Sequence, residues 1–99
     1  MRLSPVLNTI LPELEDAALS HLGGAEWVVI VFDNDVNTYE EVMTVLIYAT
    51  GCSAEEAYIE AWEIDHLGKS VVHHADEMDC QRVAAIIAQI GIRVEVTQE

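Results

Sequence analysis

The 99-residue chain is predicted to be an α+β domain: a three-stranded antiparallel sheet packed against three helices in the order β-α-α-β-α-β. Three observations carry that reading. Trp27 to Phe32 is an unbroken apolar, mostly β-branched run, which reads as a buried strand. Ile92, Val94 and Val96 alternate with Arg93, Glu95 and Thr97, the pattern of a strand with one covered face. Between these strands lie three stretches of helical apolar period, each opened by a Ser, Thr or Asp cap.

Residues 1–26 read as an arm ahead of a folded domain at 27–99. Leu3, Leu7, Ile10, Leu14 and Ala17 recur at alternating spacings of four and three, a helical stripe. Pro12 is acceptable at a first helical turn, so the expected helix is Pro12 to Leu22, stopped by Gly23-Gly24. Two readings stand for it: a helix laid on the domain, or an arm offered to a partner.

The first strand breaks at Asp33-Asn34-Asp35-Val36-Asn37, residue types that tolerate tight turns and bond to their own backbone. Thr38 then opens a helix to about Thr50, with Glu41 completing a capping box and Val42, Val45, Leu46 and Ala49 on one face. Gly51 ends it. Ser53, with Glu56 as its capping-box partner, starts a second helix to about Asp65 with Ala57, Ala61 and Ile64 on one stripe. Tyr58 and Trp62, four apart, are expected to stack on each other beside that stripe. Leu67-Gly68 turns the chain into a strand from Lys69 to Ala75. Asp76 caps a third helix, Glu77 to Ile90, with Val83, Ile86, Ile87 and Ile90 inward, and Gly91 ends it before the last strand.

Four Lys and Arg against eighteen Asp and Glu leave a net charge of −14, which repels phosphate backbones and anionic lipid. Nucleic acid and membrane surfaces are therefore not expected partners; a positively charged group is, including the α-ammonium of a peptide. Cys52 and Cys80 lie outside any CxxC spacing and no secretory signal is read ahead of them. The expectation is a cytoplasmic protein with two free thiols in or near the core.

The chemistry of catalysis and metal binding finds little support. Asp33-x-Asp35-x-Asn37 begins like a calcium loop, but Thr38 and Thr44 stand where such a loop needs Gly and a bidentate Glu. His73 and His74, adjacent on a strand, point to opposite faces and cannot share a metal. Neither cysteine sits in a nucleophile motif, and the acidic setting raises a thiol pKa. No glycine-rich phosphate loop exists, and no cofactor is expected.

The end of the second helix and the turn after the first strand can both reach one edge of the sheet. Between them an apolar patch is expected from Tyr39, Val42, Ala61 and Ile64, rimmed by the turn's acids and by Asp65-His66. His66 also suits a helix C-terminus, where its charge complements the dipole. An acidic rim over a small apolar pocket fits a free amino terminus followed by a hydrophobic side chain.

The run Asp33-Asn34-Asp35-Val36-Asn37-Thr38-Tyr39-Glu40, together with Ile64-Asp65-His66-Leu67-Gly68-Lys69, resembles the ClpS adaptors of the bacterial Clp protease over about residues 27–97. The resemblance implies a ClpS-like fold and a non-enzymatic adaptor in proteolysis under the N-end rule. Such an adaptor binds an N-degron and delivers its bearer to a ClpA- or ClpC-type AAA+ unfoldase. It places the α-amino contacts at Asp33, Asn34 and Asp65, the pocket border at Tyr39, and walls at Val42, Ile64 and Ile92. With the turn residues Asp35, Asn37 and Thr38, and with Ala61 and His66, these make up the expected peptide site. Glu77 and Arg82 are the nearest matches to the unfoldase-facing acid and base, and residues 1–26 to the extension offered during delivery. Three departures stand out. The family's Asn-Asp is here Asp33-Asn34, its histidine position holds Asp65, and Tyr39 is bulkier than the flexible methionine usual there. They leave two alternatives: a ClpS-fold interaction module without degron binding, or a plain interaction module such as the stalk ribosomal protein C-terminal domain. A small enzyme built on Cys80 and a histidine is more distant.

Overall fold

A computed structural model describes residues 26–99; the arm's expected helix, Pro12 to Leu22, lies outside the described residues. Strand β1 (Trp27–Phe32) leads through the acidic turn into helices α1 (Tyr39–Thr50) and α2 (Ala54–Leu67). Strand β2 (Lys69–Ala75), helix α3 (Glu77–Ala88) and strand β3 (Val94–Gln98) follow. The sheet order is β2-β1-β3 with both pairings antiparallel, so the expected architecture holds.

The helices cover one face of the sheet. Val29 and Val31 of β1 join Val42, Val45, Leu46 and Ala49 of α1, Ala57, Ala61 and Ile64 of α2, and Val83 and Ile87 of α3 in one core. Both cysteines belong to this side: Cys80 is wholly buried and Cys52 packs at the core's margin. Burial pushes the Cys80 thiol up, as does the charge of Asp79, so it is no nucleophile at neutral pH. The pairing of β1 with β2 shifts between Val29 and Ile30, which face His73 and Val71, so Val72 is the extra residue of a bulge. The two histidines part as expected: His73 reaches Asp79 on α3, while His74 lies near Glu99.

The caps decide where each helix begins. Thr38 accepts from the Glu41 amide at 3.1 Å and Glu41 returns a bond to the Thr38 amide at 3.1 Å, the full capping box. Ser53 and Asp76 cap α2 and α3 through the amides of Glu56 and Asp79. Three boundaries differ from expectation. Helix α2 continues to Leu67, because Gly68 at φ 93 closes it with a bond to the Ile64 carbonyl. Helix α3 ends at Ala88, since the amides of Gln89, Ile90 and Gly91 bond three residues back and tighten the last turn. Strand β3 starts at Val94, while Ile92 is buried ahead of it. The aromatic pairing also differs: Tyr58 packs on Tyr39, with ring centres 5.9 Å apart, and Trp62 stacks on His66 at 4.2 Å.

Candidate functional site

The turn after β1 is a hydrogen-bonded scaffold rather than a loose acidic loop. Asn34 Oδ1 accepts from the amides of Val36 (3.1 Å) and Asn37 (3.0 Å), and its Nδ2 donates to Asn37 Oδ1 at 2.8 Å. Asn37 in turn donates to Glu41 Oε1 and to the Ile90 carbonyl, both at 3.0 Å, tying the turn to α1 and to the end of α3. The bond from Asn37 and the Thr38 amide hold the Glu41 carboxyl below the usual range, so it stays charged as a fixed acceptor. The Asp33 amide donates to the Gly68 carbonyl at 3.0 Å, bringing the turn against the end of α2.

That juxtaposition encloses a cavity of about 50 Å³ lined by Asp33, Asn34, Asn37, Thr38, Tyr39, Val42, Ala61, Ile64, Asp65 and Ile92. Its walls are apolar: Val42, Ala61, Ile64 and Ile92 are all buried. At the other side, the Tyr39 hydroxyl donates to Asp65 Oδ2 at 3.1 Å, joining the first turn of α1 to the last turn of α2. Partial burial, then the bond to Asp65 and its charge, raise the Tyr39 pKa, so the phenol remains a neutral donor.

The expected site residues thus converge, with two exceptions. Asp35 is exposed and takes no part in the lining, because the turn's internal bonds run through Asn34 and Asn37 and leave it on the outside. His66 turns back along α2: its Nδ1–H donates to the Trp62 carbonyl at 3.0 Å while the ring stacks on Trp62. It therefore satisfies a helix-end carbonyl and stays away from the cavity. Glu77 and Arg82 lie elsewhere, on the exposed side of α3, where Arg82 Nε bonds Asp79 at 3.0 Å.

Four contributors were not legible beforehand: Tyr58, which backs the Tyr39 ring; the carbonyls of Gly68 and Ile90; and the side chain of Glu41. Only Glu41 had a signal, its capping-box spacing, whereas the others depend on contacts made across the fold.

The electrostatics of the rim follow from this accounting. An amide oxygen has two lone pairs, and those of Asn34 already take two backbone amides. Asn37 and Thr38 are likewise engaged within the turn and the cap. The acceptors left for a cation at the cavity are the carboxylates of Asp33 and Asp65, the latter with one oxygen outside the Tyr39 bond. Among the described residues no group of three or more His, Cys, Asp or Glu is arranged to hold a metal ion.

A family model described as ATP-dependent Clp protease adaptor protein ClpS matches residues 24–95. The chain belongs to the ClpS family. No curated protein matches it by sequence. Among solved structures it resembles that of Agrobacterium tumefaciens ClpS2 bound to L-phenylalaninamide, with a TM-score of 0.72 at 16% identity. The likeness covers 77% of this chain and 99% of that one, and it establishes the shared ClpS fold. Membership makes this chain a member of an adaptor family rather than of the protease itself. No helix among the described residues is long and apolar enough to cross a membrane.

Proposed function

We propose that this ClpS-family protein binds the free amino terminus of proteins whose first residue is hydrophobic, an N-degron, and delivers them to a ClpA- or ClpC-type AAA+ unfoldase for proteolysis. The observation that carries the reading is the pairing of two carboxylates, Asp33 and Asp65, with a small apolar cavity between α1 and α2. An α-ammonium bound there would gain charge-assisted hydrogen bonds from both acids. The first side chain would enter between Val42, Ala61, Ile64 and Ile92, with Tyr39 as its border. The ligand in the Agrobacterium ClpS2 structure, L-phenylalaninamide, offers the same pair of features: a free α-amine beside an apolar side chain.

In this reading the three departures from the family pattern become a division of labour. Asn34 holds the turn, while Asp33 beside it supplies a charge. Asp65 replaces a neutral ring with a carboxylate that Tyr39 holds in place. The exposed side of α3, with Glu77 and with Arg82 fixed by Asp79, is the surface offered to the unfoldase.

The test is fluorescence-polarisation binding to short peptides that differ only at residue one, with N-acetylated controls. Binding that needs both a free amine and a hydrophobic first residue is expected. Equal affinity for acetylated peptides, or no binding by folded protein, would favour an interaction module with a different ligand.

A further inference from the structure

The helices leave the outer face of the sheet to be explained. Residues directly opposite in the ladder share a face. On the side away from the core the registers place His74, Val28 and Thr97 in one row and Val71, Ile30 and Glu95 in the next. Phe32 opposite Lys69 forms the last row, and the Phe32 amide bonds the Arg93 carbonyl. The centre of this face is apolar, and Val71 is 43% exposed on it. Its Phe32 end is basic. The Arg93 guanidinium lies 4.1 Å from the Phe32 ring centre and the Lys69 ammonium 5.8 Å from it. Two of the chain's four Lys and Arg therefore meet on one aromatic ring. Glu95 pairs with Arg93, whereas Lys69 has no carboxylate partner among the described residues.

We propose that residues 12–22 of this same chain dock as a helix on that outer face, with their acidic end over Lys69 and Arg93. Length and attachment support this occupant. The segment joins the domain at Glu26, whose carbonyl accepts from the Glu99 amide at the Trp27 end of β1. Gly23-Gly24 supplies the reversal needed to run back along the strand. A helix over 12–22 is about 16 Å long, close to the roughly 20 Å of a six-residue strand such as β1. Its C-terminal end would start beside Val28 and its N-terminal end would arrive at Phe32. Charge then agrees with direction, because Glu13, Glu15 and Asp16 all lie in the first half of that segment. Leu14, Ala18 and Leu22 recur every four residues and give one apolar stripe for Val28, Ile30 and Val71. The proposal concerns the face opposite the cavity and does not depend on what the cavity binds.

Hydrogen exchange of backbone amides in the full chain tests it. Amides 15–22 should exchange at least tenfold more slowly than the same sequence as a free peptide. Lys69→Glu with Arg93→Glu should remove that protection while β1 stays protected. Adding Glu13→Lys, Glu15→Lys and Asp16→Lys to that variant should restore it. The triple change alone, which leaves the sequence of residues 26–99 intact, should also abolish protection. Free-peptide exchange rates in the wild type, or protection indifferent to both charge reversals, would overturn the proposal. So would protection that grows with protein concentration, which would mark a second copy as the occupant.

Discussion

Asp65 and Asp79 are both helix carboxylates that accept a hydrogen bond from a side chain, and they stand in opposite electrostatic settings. Asp79 lies in the first turn of α3, where the dipole favours negative charge. His73 Nε2 approaches it at 2.7 Å and Arg82 Nη2 at 2.9 Å. Burial pushes its pKa up, but the bonds from His73 and Arg82 and the charge of Arg82 outweigh that and lower it overall. Asp65 lies in the last turn of α2, against the negative end of the dipole. Its bonded partner is the neutral Tyr39 hydroxyl, and the weakly placed His66 ring nitrogen is 3.6 Å away. One acid is neutralised by its own fold; the other is held ready and left uncompensated at the rim of a cavity. A carboxylate kept at such a cost is what a site for a cationic ligand requires.

The comparison can be broken in four ways. The largest effect is expected from removing both rim charges. Asp33→Ala with Asp65→Ala should weaken binding of a free-amine peptide at least a hundredfold, since losing one partner of a desolvated charge pair costs about 2–5 kcal/mol. Unchanged affinity in the folded double variant, read by calorimetry, would remove the cavity from the account.

Next comes the scaffold behind the charges. Asn37→Ala leaves Asn34, Glu41 and the Ile90 carbonyl without their bonds. Lost buried or part-buried bonds cost about 1–3 kcal/mol, so a lower melting temperature and roughly tenfold weaker peptide binding are expected. Full affinity in that variant would show that the turn needs no internal bracing.

A smaller change should follow at the border. Tyr39→Ala opens the cavity and should let bulkier first residues bind several-fold better relative to leucine, as ranked in a peptide panel. An identical ranking would mean that Tyr39 does not set selectivity.

The smallest effects separate the two acids by sign. Asp65→Asn removes a charge opposed to its helix dipole and should raise stability by about 0.3–1 kcal/mol while weakening peptide binding. Asp79→Asn should lower stability and leave binding alone. Because the folded pKa of Asp79 is depressed, its stabilisation is present above the unfolded value near 3.9 and lost as pH falls through the lower folded value. The melting-temperature gap between wild type and Asp79→Asn should therefore close as pH drops below about 4. A gap that persists in acid would contradict the His73–Asp79–Arg82 arrangement.

How much of this was legible beforehand depends on the range of the interactions. Thr38 with Glu41, Ser53 with Glu56 and Asp76 act within one turn, so spacing alone located the helix starts. The convergence of Asp33, Tyr39, Ile64 and Asp65 also followed from element order, because a turn after β1 and the end of α2 must meet at one sheet edge. What escaped was long-range or depended on competition between partners. Asn37 bonds a carbonyl 53 residues away, and that carbonyl is free to accept because the end of α3 tightens. His66 could have faced the cavity; an unsatisfied helix-end carbonyl and the Trp62 ring drew it away. Tyr58 pairs with Tyr39 rather than Trp62 because α1 and α2 bring those rings together.

The most direct test of the central claim is a backbone NMR titration with a short leucine-initiated peptide, run once with a free amino terminus and once acetylated. The account predicts amide shifts at Asp33 to Tyr39, Ala61 to Asp65 and Ile92 with the free-amine peptide. Residues His73 to Arg82 should stay silent, and the acetylated peptide should be without effect at the same concentrations. Equal responses to both peptides, or shifts centred on His73 and Asp79, would contradict it.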